Sequence, residues 1–253
     1  MRAAAADLWA DVPLGSGVTL VECDANGLAA LAKPEGVLSH PNGPRDLARS
    51  LVRAPYDKAA ECFEWTDAAG AARWIWLINR LDSATSGLIL AATDGAVAQE
   101  VRSQFQRRRV RKVYQALVFG KPRQSPETWR DILSVTKGGG RIRTSSQGGG
   151  LPAECRMTLV RSGSGPVRVS LIRLEPQTGR SHQLRVQCAK RGLPIVGDQT
   201  YGNFGANRAF VKGGGLKRMF LHSQAISLEY QFGGRALAFS AEAPLPAEFG
   251  QIA

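Results

Sequence analysis

The sequence predicts an α+β protein built on a long, largely antiparallel sheet, and three observations predict it. Apolar runs of five or six residues, too short for ordinary helices, recur between clusters of Gly, Pro, Asn and Asp. Only two stretches carry a helical signal. After residue 150 the strand-like runs follow one another closely, the succession expected of antiparallel neighbours.

Taken in order, residues 1–17 read as an N-terminal extension and 18–253 as one domain with no internal repeat. Val18–Cys23 and Leu28–Lys33 flank "DANG", whose residue types suit a turn between two strands. "KPEGVLSHPNGP" (Lys33–Pro44) is too rich in Pro and Gly for regular structure and predicts an ordered loop. "WIWLI" (Trp74–Ile78) and "GLILAA" (Gly87–Ala92) predict buried strands. Asp94 predicts the cap of a helix through about Arg109, with Val97, Val101 and Phe105 on one face and Arg102 and Arg108 on the other. "KVYQALVFG" (Lys112–Gly120) returns to a strand pattern. "KGGGRIRTSSQGGG" (Lys137–Gly150) reads as a basic hairpin or loop, and Gly213–Gly215 as a second surface loop. "CRMTLVRS", "VRVSLIRLE", "AISLEYQF" and "RALAFSA" predict four more strands, with one helix between them near Ser181–Lys190.

The formal charge of +12 favours a polyanionic partner, because each neutralised phosphate releases counterions. The start lacks a signal peptide: its apolar stretch is short and broken by Asp7 and Asp11. No apolar run is long enough to span a bilayer, and no lipid anchor stands out. The four cysteines are scattered, which argues against a disulfide framework or a zinc site and for a cytoplasmic protein. No Walker loop, dinucleotide fingerprint or zinc-protease motif occurs, and "GRSHQ" lacks the second glycine of a nucleophile elbow. Nothing in the spacing of His40, His182 and His222 suggests a metal, and no cofactor is indicated.

"NRLDSATSGL" (Asn79–Leu88) joins two predicted strands and holds one acid, Asp82. A turn or capping role is the usual explanation for such a residue; general base, nucleophile and ligand remain open beside it. Ser83, Thr85 and Ser86 offer hydroxyls to its backbone, and Gly87 permits close approach. "LEPQTGRSHQLRVQCAKRGLPIVGDQTYG" (Leu174–Gly202) predicts a strand broken by "TGR", then a helix ending near Gly192. His182, Arg185 and Ala189 share a face of it, and its N-terminus is electropositive. Arg185 is suited to pairing with an acid, by charge and by forked hydrogen bonds. A basic amphipathic helix without a special partner is the plainer alternative.

"KPEGVLSHP", "NRLDSATSGLIL", "KVYQALVFG", "TGRSHQLRVQ", "GDQTYG" and "LHSQAISL", in this order, resemble the RluA-type pseudouridine synthases over most of the chain. The resemblance implies their catalytic fold, a long mixed or antiparallel sheet flanked by helices and loops around a central cleft. It implies isomerisation of uridine in tRNA or rRNA, without cofactor or metal; a monomer with no obligate protein partner is the default expectation. It makes Asp82 the essential aspartate, acting as nucleophile or as base on the ribose. Arg185 becomes the arginine placed against it, and Tyr114 the tyrosine that packs on the target base. Arg80 becomes the arginine that enters the RNA where the base leaves. Leu221, Lys33 and His182 fall at substrate-binding positions; Lys33 and Pro34 are expected to shape the rim, with RNA phosphate a further contact for Lys33; packing is the plainer reading of Leu221, and a loop-fixing salt bridge that of Arg80. Asn79, Gln187 and Ser223 depart from residues frequent in the family (His, His and Ala). The segment before the first matching strand is too short for the S4 RNA-binding domain of many relatives, so RNA affinity falls to Arg102–Arg111 and to Arg141 and Arg143. A noncatalytic RNA-binding module and a nucleosidic-bond glycosidase are the competing readings.

Overall fold

The computed structural model describes residues 8–138, 141–145, 149–163 and 167–250. They form two compact units, each assembled from separated stretches of chain. The first unit takes the chain up to Val110 together with Ala225–Ala243. The second takes Arg111–Gln224 and the residues after Ala243.

In the first unit, β1 (Thr19–Cys23) and β2 (Leu28–Lys33) form the expected hairpin. Its turn is held by the Asp24 carboxylate, which accepts the Asn26 and Leu28 amides at 2.9 and 3.1 Å. Gly27 closes the turn at φ +84°, a conformation that favours glycine. β2 pairs antiparallel with β6 (Ser86–Ala92), which also pairs with β5 (Ala72–Leu77). β5 continues to β4 (Cys62–Thr66), and β4 to β3 (Tyr56–Asp57). Both faces of β2 and β6 are covered. Leu28, Leu88 and Leu90 pack with Val97, Val101, Ile226, Tyr230 and Phe239; Leu31 and Ile89 pack with Leu51, Phe63 and Ile75. Two-sided burial explains why "LAALA" and "GLILAA" are nearly unbroken apolar runs. Trp9 and Val12, in the stretch expected to be an extension, are buried in the second of these clusters. β3 and β4 were not expected; both are short and interrupted by polar residues.

α1 (Gly95–Gln106) is capped as expected, with the Asp94 carboxylate accepting the Ala96 and Val97 amides. Arg102 corrects the sequence reading. Its guanidinium turns inward to the carbonyls of Leu77 (2.6 Å) and Glu61 (3.2 Å), so it ties α1 to β5 and is not part of an exposed basic face.

In the second unit, β7 (Arg111–Phe119) pairs with β11 (Val169–Pro176), β11 with β10 (Leu151–Ser162), and β10 with β8 (Glu127–Gly138), all antiparallel. β9 (Arg141–Ser145) pairs with the end of β8, giving part of the expected basic hairpin. Residues 139–140 and 146–148 of that segment lie outside the described residues. α2 (Gln183–Lys190) occupies the expected place, and a further helix, α3 (Phe204–Lys212), follows it. Leu117, Phe119, Val196, Phe220 and Phe249 belong to a core cluster here. β12 (Leu221–Phe232) starts in this unit and ends in the first, where β13 (Arg235–Glu242) pairs with it.

Candidate active-site residues

Asp82 lies in the first unit, half-buried, at the start of a turn in which its carbonyl accepts the Thr85 amide at 3.0 Å. The turn is fixed from both sides by the "KPEGVLSHP" loop. The Ser39 hydroxyl donates to the Leu81 carbonyl at 2.7 Å and accepts the Leu81 amide at 3.0 Å. The Ser83 carbonyl accepts the Gly36 amide at 2.8 Å and the Lys33 ammonium at 3.0 Å. Lys33 is only 1% exposed, and its ammonium also donates to the carbonyls of Pro34 and Val37 at 2.9 and 2.8 Å. Through these bonds Lys33 clamps the two loops together.

Asn79 accepts the Leu90 amide at 2.7 Å through its side-chain oxygen, beside the Ile78 amide bond to the Leu90 carbonyl. The side chain stands in for a strand partner where β5 ends and the Asp82 turn begins. A neutral histidine with an unprotonated ring nitrogen supplies the same kind of acceptor. Arg80 is largely exposed and lies 3.9 Å from the Glu61 carboxylate, an open ion pair of the kind that contributes little.

The second unit carries the other expected residues. Arg185 on α2 forms a two-pronged pair with Asp198, Nε to Oδ2 at 2.7 Å and Nη2 to Oδ1 at 2.8 Å, and both side chains are buried. Burial pushes the Asp198 carboxyl up, but the hydrogen bonds and charge of Arg185 outweigh it and hold the group below the ordinary carboxylate range. Asp198 also accepts the Thr200 and Tyr201 amides at 2.8 and 3.0 Å, which places the Tyr201 ring 5.1 Å from the Arg185 guanidinium. Sequence reading did not single out Asp198; its signal was the acid inside "GDQTYG".

The other end of α2 is held by Asp131 of β8. Its carboxylate, 1% exposed, accepts from Gln187 at 2.9 Å, Lys190 at 2.7 Å and Arg191 at 2.9 Å. Gln187 thus joins helix to sheet. His182 precedes α2 with φ +54°, and its Nδ1 lies 2.9 Å from the Tyr201 hydroxyl. Tyr114 is half-buried on β7 opposite Leu174 of β11. Two residues earlier on the same strand, burial pushes the Lys112 ammonium down to about 8 as it donates to the Thr178 carbonyl. Leu221, at the start of β12, is buried with Phe220 and His222. The structure therefore brings Lys33 to the Asp82 turn, and His182 and Arg185 to Tyr201. Among the described residues, no group of three or more His, Cys, Asp and Glu side chains is arranged to hold a metal, and no helix is long and apolar enough to cross a membrane.

Residues 27–190 match the family model described as RNA pseudouridylate synthase. The chain is 33% identical over 219 residues to "Uncharacterized RNA pseudouridine synthase" of Chloroflexus aurantiacus, covering 85% of this chain and 62% of that protein. It is 32% identical over 177 residues to "Ribosomal large subunit pseudouridine synthase C" of Escherichia coli, covering 69% and 54%. It is 30% identical over 175 residues to "tRNA pseudouridine synthase C" of Yersinia pestis, covering 66% and 68%. The chain thus spans little more than half the length of several curated relatives. The solved structure "Human RNA Pseudouridylate Synthase Domain Containing 1" superposes with a TM-score of 0.65 at 23% identity, over 91% of this chain and 85% of that one, a likeness of fold. Asp198, Tyr201 and Leu221 lie beyond the segment that the family model matches.

Proposed function

We propose that this chain, which belongs to the RNA pseudouridylate synthase family, isomerises uridine to pseudouridine in structured tRNA or rRNA, with Asp82 as the reacting carboxylate. The reaction breaks N1–C1′, forms C5–C1′, releases the C5 proton and protonates N1, so the base stays with the RNA and no redox partner is consumed. The observation that carries the reading is the Asp82 turn: it lies within the matched segment and is fixed from both sides by Ser39 and Lys33. A carboxylate that acts on ribose, as nucleophile or base, must be held in place rather than left on a mobile loop. Tyr114 is assigned to the target base, where a ring can stack and a hydroxyl can hydrogen-bond. The family resemblance assigns Arg185 to the catalytic machinery, and Arg80 supplies the planar group that replaces the displaced base. The relatives' names include large-subunit ribosomal and tRNA enzymes, and the charge of +12 suits either RNA. The protein is read as a cytoplasmic monomer acting without a protein partner.

The test is pseudouridine mapping in cells lacking the gene, then complemented with wild type or Asp82→Asn, together with turnover on the identified RNA. Wild type should restore specific sites. Asp82→Asn should bind the RNA but lose about 10²–10⁴-fold or more in turnover. No lost site on deletion, or full restoration by Asp82→Asn, refutes the proposal; release of free uracil would indicate a hydrolase.

A further inference from the structure

We propose that the Tyr201 hydroxyl is a positioning group, which fixes His182 as its Nε2–H tautomer and ties that orientation to the seating of β9. The inference rests on the proposed RNA activity only for its effect on turnover. The Tyr201 oxygen has two hydrogen-bond partners, the Thr144 amide at 2.9 Å and His182 Nδ1 at 2.9 Å. A backbone N–H can only donate, so the oxygen accepts there. The hydroxyl proton then has one acceptor, His182 Nδ1, which must be unprotonated; the proton of the neutral ring sits on Nε2. His182 therefore carries a donor, not an acceptor, at its second nitrogen.

Four further features surround this hydroxyl. His182 is a non-glycine residue at φ +54°, a conformation that persists where its surroundings over-determine it. The Tyr201 ring meets the His182 ring at 5.6 Å in an edge-on arrangement and packs against Leu133, Ala153 and Val186. Its amide is held by Asp198, the acid that also forks onto Arg185, so one carboxylate sets the tyrosine and the arginine together. Thr144 makes a second bond, from its hydroxyl to the Ser181 carbonyl at 2.8 Å. β9 is thereby attached on both sides of the peptide that leads into His182. A displacement of the hairpin pulls on the ring nitrogen and on the backbone at once.

The protein has three histidines, so long-range ¹H–¹⁵N spectra of histidine-labelled protein are readily assigned with His182→Gln as reference. Wild-type His182 should show one tautomer, protonated at Nε2. Tyr201→Phe, which removes only the oxygen, should give a mixture of tautomers and lower kcat about tenfold or more, with KM for RNA changed less than about twofold. A wild-type ring protonated at Nδ1 overturns the proposal, and this readout stands even where the variant fails to fold. A folded Tyr201→Phe protein with one Nε2–H tautomer and unchanged kcat overturns it as well. If wild type isomerises no RNA, the functional reading fails while the tautomer measurement still decides this one.

Discussion

Lys33 shows how far a residue's role depends on chain that is distant in sequence. Beside Pro34 and a glycine, its ammonium reads as a surface charge; only the Ser83 carbonyl, fifty residues away, reveals it as an internal clamp. Lys33→Met keeps the bulk of the stem but leaves three carbonyls without their donor. The expected loss is about 3 kcal/mol in denaturant unfolding, with turnover reduced because the Asp82 turn loosens. RNA affinity should keep its salt dependence. A slope shallower by about one phosphate would show the ammonium meeting RNA after all. Asp82 itself was legible, because its neighbours form an ordered motif. The groups that hold its turn were not, because Ser39, Lys33 and the Asn79 acceptor act through backbone atoms that carry no sequence signature.

α2 has eight residues, too few to stand alone in water, and two buried acids hold it in place. Asp198 grips it through Arg185, and Asp131 through Gln187, Lys190 and Arg191. The same acid explains why β8 was missed: Trp129, Asp131 and Leu133 share the inward face, and a charge in the middle breaks the apolar alternation. α3 was missed for a different reason, since it is short and carries a glycine in its first turn. The strands β2, β6, β7, β11 and β13 were legible because apolar residues dominate at least one of their faces. Lys112 on β7 makes the stability of its sheet depend on pH. Its folded pKa is about 8 against an ordinary 10.5, so between those values the unfolded chain binds more protons and stability rises with pH. The benefit is full above 10.5 and lost as the pH falls through about 8. Lys112→Met should flatten that rise, read by denaturant unfolding from pH 7 to 11.

The whole molecule carries a charge of +12, and not all of its arginines are available to RNA. Arg102 is engaged inside, whereas Arg107, Arg108 and Arg109 are exposed just after α1. Replacing these three by Gln should reduce the slope of log affinity against log salt by roughly 0.7–0.9 for each phosphate that is no longer neutralised. An unchanged slope would place the RNA elsewhere. The α+β class was legible at this scale. The division into two units was not, because each gathers stretches far apart in sequence and no linker marks the boundary. The last strands of the first unit have a consequence for biosynthesis. Ile226, Leu228, Tyr230 and Phe239 cover Leu28, Leu88 and Leu90, yet they are translated more than a hundred residues later. At about 5–20 residues per second the nascent chain carries an uncovered apolar sheet for on the order of ten seconds. Until its final strands leave the ribosome, that half of the protein is a natural client for a chaperone.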